Sequence, residues 1–257
     1  MDSLLGIPIG VTSLDDAATD AIRVIESRSQ QIVFACANSN AMNVARRDPA
    51  FRGALLDTDQ LVADGVGVSL VARLARKNVG PRIIGHQYYE AIMKKLQQRG
   101  HGRVFFFGSS QAVLNLIHQR FIAEYPELTF CGAISPPFGE WPGRQNSEFI
   151  QTINAATPDV LWVGMTAPKQ EKWVFANRRL LNVPVIGSVG AVFDFYAGTV
   201  KPSPGWVRKV GLEALYRLAA EPKRLWRRVL VSNVSFLRVG IWSEVLGFDR
   251  NRYTNEQ

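Results

Sequence analysis

Residues 61–74 read LVADGVGVSLVARL, an apolar run that meets an acid, then two glycines and a segment of helical character. The residues at 60–63 indicate a buried strand that ends at Asp64. Ligands of α/β proteins bind at the carboxyl ends of parallel strands, so a carboxylate here is placed to touch a ligand. A cap for the next helix or an Asp-Gly turn is the structural alternative, and the residues alone leave both interpretations open.

The same order of strand, small residues and helix recurs along the chain. Strands are predicted at 4–9, 31–36, 60–63, 103–107, 128–133, 159–163 and 183–186, and helices among others at 13–26, 38–47, 50–56 and 169–181. This alternation predicts an α/β, Rossmann-like fold with a largely parallel sheet and flanking helices. We predict that residues 1–200 form the α/β domain and that residues 201–257 form a helical, basic appendage.

Composition favours a folded globular protein, because 47% of the 257 residues are hydrophobic and 20% are charged. The N-terminal stretch MDSLLGIPIGVTSLDDA lacks the basic start of a secretory signal, and no run of about 18 apolar residues is present. A cytoplasmic chain is therefore expected. The two cysteines, Cys36 and Cys131, are expected to be thiols in that compartment.

The positive charge is concentrated near the C-terminus. Residues 201–228 hold eight basic and two acidic side chains, a net charge of +6 out of +8 for the chain. Such a segment favours phosphates on nucleic acid, on lipid head groups or on a small diphosphate. A solvated basic helix face is the alternative.

The turn Gly108-Ser109-Ser110 follows a predicted strand and begins a predicted helix, which suits phosphate binding by backbone N–H groups. It lacks the lysine of a P-loop and the full G-x-G-x-x-G pattern, so neither an ATPase nor a standard dinucleotide domain is indicated. An ordinary strand-to-helix turn is equally compatible with these residues.

Metal binding has one candidate motif, Asp57-Thr58-Asp59, which resembles the D-x-D site of many nucleotide-sugar transferases. In those enzymes the motif ends a strand, whereas here it precedes one, so a helix-to-strand connection is the favoured interpretation. The three histidines, His86, His101 and His118, lack close ligand spacing. No metal site and no cofactor is predicted.

Six segments follow one another along nearly the whole chain: NSNAMNVARRDPAFRGALLDTDQLVADGVGV, PRIIGHQYYEAI, VFFFGSS, LWVGMTAPKQEKWV, GSVGAVFDFYAG and GLEALYRLAAEPKRLWRR. In this order they resemble the WecG/TagA/CpsF glycosyltransferases, family twenty-six. The resemblance implies an inverting transfer of a hexose-type sugar from a UDP-sugar to a sugar on a polyprenyl diphosphate. It also implies a β-linked disaccharide-lipid product, made during cell-surface polysaccharide biosynthesis.

The resemblance implies specific roles: Asp64 matches the aspartate of the family's P-D-G-x-G motif, which is the proposed catalytic base there. It places Asn38, Arg82 and Gln170 at the donor pocket, and Arg217, Arg224 and Arg227 at the acceptor's diphosphate. The predicted rim of the sheet adds further candidates for donor binding: Gly108, Ser109, Gly164 and Lys169.

Positions 36, 86 and 214 depart from the family pattern. Cys36 replaces a threonine, His86 stands where aspartate is common, and Ala214 stands where tryptophan is common. We expect these changes to bear on the identity of the donor sugar, which we predict to be N-acetylmannosamine, its uronic acid or glucose, more than on the reaction.

The C-terminal appendage combines basic side chains with aromatic and apolar ones. Arg224, Arg227 and Arg228 share one helix face, and the segment VLVSNVSFLRVGIW follows. Together with Trp206, Trp226, Phe236 and Trp242, this composition suits peripheral attachment to anionic lipid at the inner face of the cell membrane. The alternative is that the aromatic residues pack on the core or on another subunit of a homo-oligomer.

Two functions other than glycosyl transfer are the alternatives. A pI near 9.8 favours a basic nucleic-acid-binding module, but the sequence shows no helix-turn-helix, zinc or RNP-type pattern. A nucleotide-sugar epimerase or dehydrogenase would need the missing G-x-G-x-x-G.

Overall fold

A parallel sheet of six strands organises the structure, a computed structural model that describes residues 2–200, Tyr216 and residues 231–248. The order across the sheet is β4-β3-β8-β7-β5-β6. The strands are β3 (Ile32–Ala37), β4 (Gln60–Ala63), β5 (Arg103–Gly108), β6 (Thr129–Ile134), β7 (Val160–Gly164) and β8 (Val185–Ser188). The prediction of an α/β fold with a parallel sheet is confirmed.

Helices alternate with these strands. They are α1 (Leu14–Ser27), α2 (Ser39–Ala45), α3 (Pro49–Leu56), α4 (Val66–Leu74), α5 (Gly85–Arg99), α6 (Gln111–Glu124), α7 (Gly143–Ala155), α8 (Lys169–Asn177), α9 (Val192–Ala197) and α10 (Ser232–Gly240). A 3-10 turn, Arg178–Leu180, follows α8, and a π-helical turn, Ile241–Val245, follows α10. In the described part of the chain, no helix is both long and apolar enough to span a membrane.

Both faces of the sheet are covered, which explains why its strands are apolar on both sides. Phe34, Phe106 and Trp162 pack with α1, α5, α6 and α9 on one face. Phe107 and Leu161 point to the other face, where α7 and α8 lie. Along β3, the alternate residues Ala35 and Ala37 extend this second face to α2, α3 and α4.

Polar side chains mark the beginnings of several helices. The Ser13 hydroxyl accepts the N–H of Asp16 at 3.1 Å and begins α1, as its position before two acids indicates. The Asp48 carboxylate accepts the N–H of Phe51 at 3.0 Å and begins α3, whose first residue is Pro49. These local signals are readable in the sequence because capping depends on neighbours only.

The N-terminal segment differs from its prediction as one strand. It forms a small antiparallel hairpin of β1 (Ser3–Leu4) and β2 (Ile7–Pro8). The reason is the turn between them, where Leu5 and Gly6 take φ values of 51° and 68° and so reverse the chain.

The C-terminal helix α10 packs on α2 and α4. Phe236 is fully buried in the cluster that these helices share, so the packing alternative is correct for this aromatic residue. The Asn43 side-chain N–H donates to the Ser232 carbonyl at 2.7 Å and joins α2 to the start of α10. Trp242, by contrast, is half-exposed and stacks on Phe248 with ring centroids 4.7 Å apart.

An ion pair holds the end of this segment to the N-terminus. The buried Glu244 carboxylate accepts the N–H of Leu5 and pairs with the ammonium of Lys77. Lys77 also donates to the Ser3 carbonyl at 2.6 Å. Residues from the two ends of the described chain therefore meet at one carboxylate.

We predict that Glu244→Gln lowers the free energy of unfolding by about 3 kcal/mol, because it leaves the Lys77 charge partly buried without its counter-ion. Urea denaturation measures this change. The matched control is Glu148→Gln, which removes an exposed i, i+4 pair with Arg144 and should change stability by less than about 0.5 kcal/mol. Equal effects of the two variants would contradict the role of the Glu244 pair.

Candidate active site

The neighbouring strands β3 and β8 lead to opposite faces of the sheet. From β3 the chain enters α2, which packs on the face with Ala35 and Ala37. From β8 it enters α9, which packs on the opposite face. Diverging connections leave a crevice above the carboxyl ends of the two strands, which is where ligands bind in open α/β sheets.

Asp64 lies at this rim, directly after β4. Its N–H donates to the Ala37 carbonyl at 2.9 Å, so its backbone is held against the end of β3. The N-cap residue of α4 is Gly65, which has no side chain to cap the helix. The partly buried Asp64 carboxylate lies close enough to Cys36 to act on its thiol electrostatically.

Steric constraints explain why both residues 65 and 67, after Asp64, are glycines. Gly65 takes a φ of 90°, which places the turn in the region that favours glycine. A methyl group on Gly67 would lie 2.4 Å from the Ser39 hydroxyl oxygen and 3.7 Å from the Phe236 ring. Gly67 thus allows α4 to pack closely on α2 and α10, and it fixes the direction in which the chain leaves Asp64.

Asn38 and Arg82 lie beside Asp64. Asn38 caps α2 through the Ala41 N–H at 3.0 Å, and its Cβ is 4.0 Å from a methyl group built on Gly65. The N–H of Ile83, the neighbour of Arg82, donates to the Ala63 carbonyl at 3.0 Å. The structure brings these two sequence-predicted donor residues to the same strand ends as the predicted base.

Cys36 forms part of the floor of the crevice. Its sulfur accepts the N–H of Gly85 and lies 3.8 Å from a methyl group built on that glycine. Burial first, and then the negative charges of Asp64 and Glu171, raise the pKa of the Cys36 thiol well above its usual value. The thiol is therefore uncharged at neutral pH, and both carboxylates lie within electrostatic range of it.

Gln170 joins the loop after β7 to the start of α8. Its buried side-chain oxygen accepts the Met165 N–H at 3.2 Å, and its side-chain nitrogen donates to the Glu171 carboxylate at 2.8 Å. The same oxygen lies 3.6 Å from a methyl group built on Gly190, the second residue after β8. Gln170 therefore reaches from β7 over the end of β8 toward Asp64.

Glu171 was not predicted as a site residue, yet it is buried and lies close to Cys36. The sequence signal for it is weak, since an acid in the first turn of a helix is usually solvated and only favours the helix dipole. Its burial arises from packing of α8 on α3, where the Lys172 ammonium pairs with Asp48 at 3.0 Å.

Lys169 faces the loop before α7. Its ammonium donates to the Gly139 carbonyl and lies 3.8 Å from the centroid of the Trp141 ring. Burial lowers the pKa of Lys169, and the charge of Glu140 offsets part of this shift. The prediction that Lys169 meets a leaving diphosphate would require its side chain to change partners.

Gly108, Ser109 and Gly164 form a second group at the rim. Gly108 and Gly164 pair in register between β5 and β7, and a methyl group on Gly108 would lie 2.5 Å from the Gly164 carbonyl oxygen. Ser109 takes a φ of 59°, and its carbonyl accepts the Ser135 hydroxyl at 2.8 Å. Strands β7 and β5 are three and four places from β4, about 14 and 19 Å at the usual strand spacing, so this group lies apart from Asp64.

The Asp57-Thr58-Asp59 motif lies in the connection from α3 to β4, at the opposite end of the sheet from Asp64. Asp57 and Asp59 both pair with Arg178, at 2.8 and 2.7 Å, and Asp59 also accepts the Val33 N–H at 2.8 Å. The motif therefore lies between a helix and a strand, as the sequence predicts. Among the residues that the structure describes, no three metal-ligating side chains cluster.

The predicted acceptor-binding residues Arg217, Arg224 and Arg227 lie outside the described residues, as do Ala214, Trp206 and Trp226. Their assignment stays a prediction. The geometry of the crevice rests on residues from β3, β4, β7, β8 and the helices that follow them.

Comparison with known proteins identifies one family over almost the whole chain. The sequence model of the glycosyl transferase WecG/TagA/CpsF family matches residues 2–250. This match includes both groups of residues at the rim and the C-terminal helix α10.

Several curated relatives carry one name, N-acetylglucosaminyldiphosphoundecaprenol N-acetyl-beta-D-mannosaminyltransferase. The protein from Bacillus spizizenii is 30% identical over 72% of this chain and 70% of its own length. The protein from Bacillus subtilis is 26% identical over 77% of this chain and 75% of its own length. The protein from Staphylococcus aureus is 25% identical over 87% of this chain and 86% of its own length.

We predict that Gly67→Ala lowers the free energy of unfolding by about 1–3 kcal/mol, because the new methyl group overlaps the Ser39 hydroxyl. Urea denaturation measures the change. Gly53→Ala in α3 is the matched control: its methyl group would meet the Phe175 ring at 3.7 Å, an ordinary contact. That variant should be neutral or more stable by about 0.4–1 kcal/mol. Similar destabilisation in both would contradict the close-packing role of Gly67.

Proposed function

The chain belongs to the WecG/TagA/CpsF family of glycosyltransferases, and on that basis we propose that it transfers N-acetyl-β-D-mannosamine to N-acetylglucosaminyl diphosphoundecaprenol. The shared name of the relatives supports this acceptor and this sugar. The donor is a UDP-sugar, and the uronic acid of N-acetylmannosamine or glucose are the other candidate sugars. The product is a β-linked disaccharide-lipid of a cell-surface polysaccharide. Membership of this family removes the basis for the nucleic-acid-binding and epimerase alternatives.

The position of Asp64 carries the proposal. Its carboxylate lies at the crevice beside β3, close to the Cys36 thiol. In an inverting transfer, Asp64 removes the proton of the acceptor hydroxyl as that oxygen attacks the anomeric carbon. The bond to UDP breaks on the opposite face of the sugar, so a single carboxylate is sufficient.

The departing UDP gains negative charge that the protein must stabilise. Arg82 lies beside Asp64, and α5 begins at Gly85 next to Cys36, so its positive end points to the same crevice. We assign the diphosphate to these groups. This arrangement supports a metal-independent reaction, since the D-x-D carboxylates are paired with Arg178 at the other end of the sheet.

The remaining donor-binding candidates fit other parts of a UDP-sugar. Asn38 and Gln170 border the crevice near Asp64 and are assigned to the sugar. Gly108, Ser109 and Gly164 lie farther along the rim and are assigned to the nucleoside end. Lys169, the first residue of α8, follows the loop after β7, and a bound donor competes with Trp141 for its ammonium.

The acceptor's lipid places the reaction at a membrane. We propose that Arg217, Arg224 and Arg227 bind its diphosphate and that the chain attaches peripherally to the inner face of the cell membrane, as a homo-oligomer. The charge of +6 in residues 201–228 supports contact with anionic head groups.

We predict that Asp64→Asn lowers turnover by roughly 10²–10⁴-fold, because the amide cannot accept the acceptor's proton. Donor affinity should change by less than about twofold, since the amide has the same shape. UDP release measures turnover and calorimetry measures donor binding. Asp59→Asn, at the other end of the sheet, is the control that should keep its turnover. Undiminished turnover in Asp64→Asn would contradict the role as a base.

We predict that one UDP-hexose of a panel supports acceptor-dependent UDP release and that EDTA leaves the rate unchanged. The acceptor is a short-chain prenyl diphosphate carrying N-acetylglucosamine. Loss of activity in EDTA would contradict metal independence. Absence of release with every donor would contradict the proposed function itself.

A further inference from the structure

Glu171, the third residue of α8, carries a buried carboxylate that has no step in the proposed reaction. The residue is 7% exposed, although glutamate is normally solvated. The common structural role of a glutamate at this place in a helix is a capping box, in which its carboxylate accepts the backbone N–H of the N-cap residue. The N-cap residue of α8 is Pro168, which has no N–H. A capping box therefore does not explain the position of Glu171.

The Glu171 carboxylate binds the side chain of the preceding residue. Gln170 donates an N–H of its side-chain amide to this carboxylate at 2.8 Å, and Gln170 is itself 5% exposed. Adjacent residues of a helix do not normally face each other, so the contact requires a special course of the Gln170 side chain. That course is set by the other end of the amide, whose oxygen accepts the N–H of Met165, in the loop before the helix, at 3.2 Å.

These two hydrogen bonds fix the orientation of the Gln170 amide. The Met165 N–H needs the amide oxygen as its acceptor, and an ionised carboxylate needs the amide nitrogen as its donor. Turning the amide over would place the N–H against an NH₂ group and the carboxylate against a carbonyl oxygen. Both mismatches would be buried, and an unsatisfied buried polar group costs more than an average hydrogen bond contributes. The orientation of Gln170 is therefore set by Glu171 as well as by the backbone.

The amide held in this way lies at the edge of the crevice. Its oxygen and its nitrogen are 3.6 and 3.7 Å from a methyl group built on Gly190, which follows β8, one of the two strands whose ends form the crevice. The amide nitrogen carries two N–H groups, and Glu171 accepts one of them. The second N–H is the hydrogen-bond donor that Gln170 can offer to a bound sugar.

We propose that Glu171 is a positioning residue, which holds Gln170 so that an amide N–H faces an oxygen atom of the donor sugar. The inference rests on the proposed function and deepens it, because Gln170 is assigned there to the sugar. Glu171 acts on the sugar only through Gln170. A misplacement of about 1 Å in a group that positions a substrate can slow a reaction by about 10²-fold, so the loss of such a support has a measurable effect.

The first test compares Glu171→Met with Glu171→Gln in the full chain. Both replacements are unbranched and close to glutamate in length, but of the two only glutamine has an oxygen that accepts the Gln170 N–H well. We expect Glu171→Met to lower kcat/KM for the UDP-sugar by roughly 10–100-fold and Glu171→Gln to remain within about threefold of the wild type. Equal losses in the two variants would overturn the inference.

A double-mutant cycle separates positioning from a general effect on the fold. Gln170→Ala removes the amide through which Glu171 acts. Adding Glu171→Met to Gln170→Ala should therefore lower kcat/KM by less than about a further twofold. Additive losses would show that Glu171 acts by another route and would overturn the inference.

A measurement that needs no turnover separates this inference from the proposed function. In a nitrogen–proton correlation spectrum of the wild type, the side-chain NH₂ signals of Gln170 are identified by their loss in Gln170→Ala. We expect one of the two protons to lie downfield of the range of exposed glutamines, because it is bonded to the carboxylate, and to return to that range in Glu171→Met. Two protons in the exposed range in the wild type would overturn the inference. If the downfield signal is present but no UDP-hexose gives UDP release, the proposed function fails and the orientation of Gln170 by Glu171 stands.

Discussion

The pairing of β3 with β8 is the constraint on which the site depends. These strands are neighbours in a parallel sheet, and their connections leave to opposite faces, which opens the crevice. Strand β4 adds Asp64 on one side, and the loop after β7 adds Gln170 and Glu171 on the other. Gly67 lets α4 approach α2 and α10 closely, and the positive φ of Gly65 turns the chain directly after Asp64.

Much of the fold was predictable because its signals are local. Apolar runs located the strands of the sheet, and caps such as Ser13 marked helix starts. The hairpin at the N-terminus was missed because an apolar run of this length conceals the turn at Leu5 and Gly6. Two features depend on contacts between distant parts of the chain: the burial of Phe236 and the pairing of Glu244 with Lys77. The periodicity of apolar residues along the sequence does not reveal such contacts.

The candidate site was predictable as a set of residues at one rim, and the resemblance to a family gave those residues roles. Their division into two groups was not predictable, because the order of strands across a sheet is not encoded by any single segment. That order separates Ser109 from Asp64 and brings Glu171 near it. The contact of Lys169 with Trp141 was likewise not predictable, since Trp141 belongs to a proline-rich loop without a periodic pattern.

The most direct test is a crystal structure of the Asp64→Asn variant with a UDP-sugar and a soluble acceptor. We expect the sugar in the crevice above β3 and β8, the diphosphate near Arg82, and the acceptor hydroxyl about 3 Å from the side chain at position 64. A donor whose sugar lies instead at the turn of Gly108 and Ser109, four strands away, would contradict the assignment of the crevice as the active site.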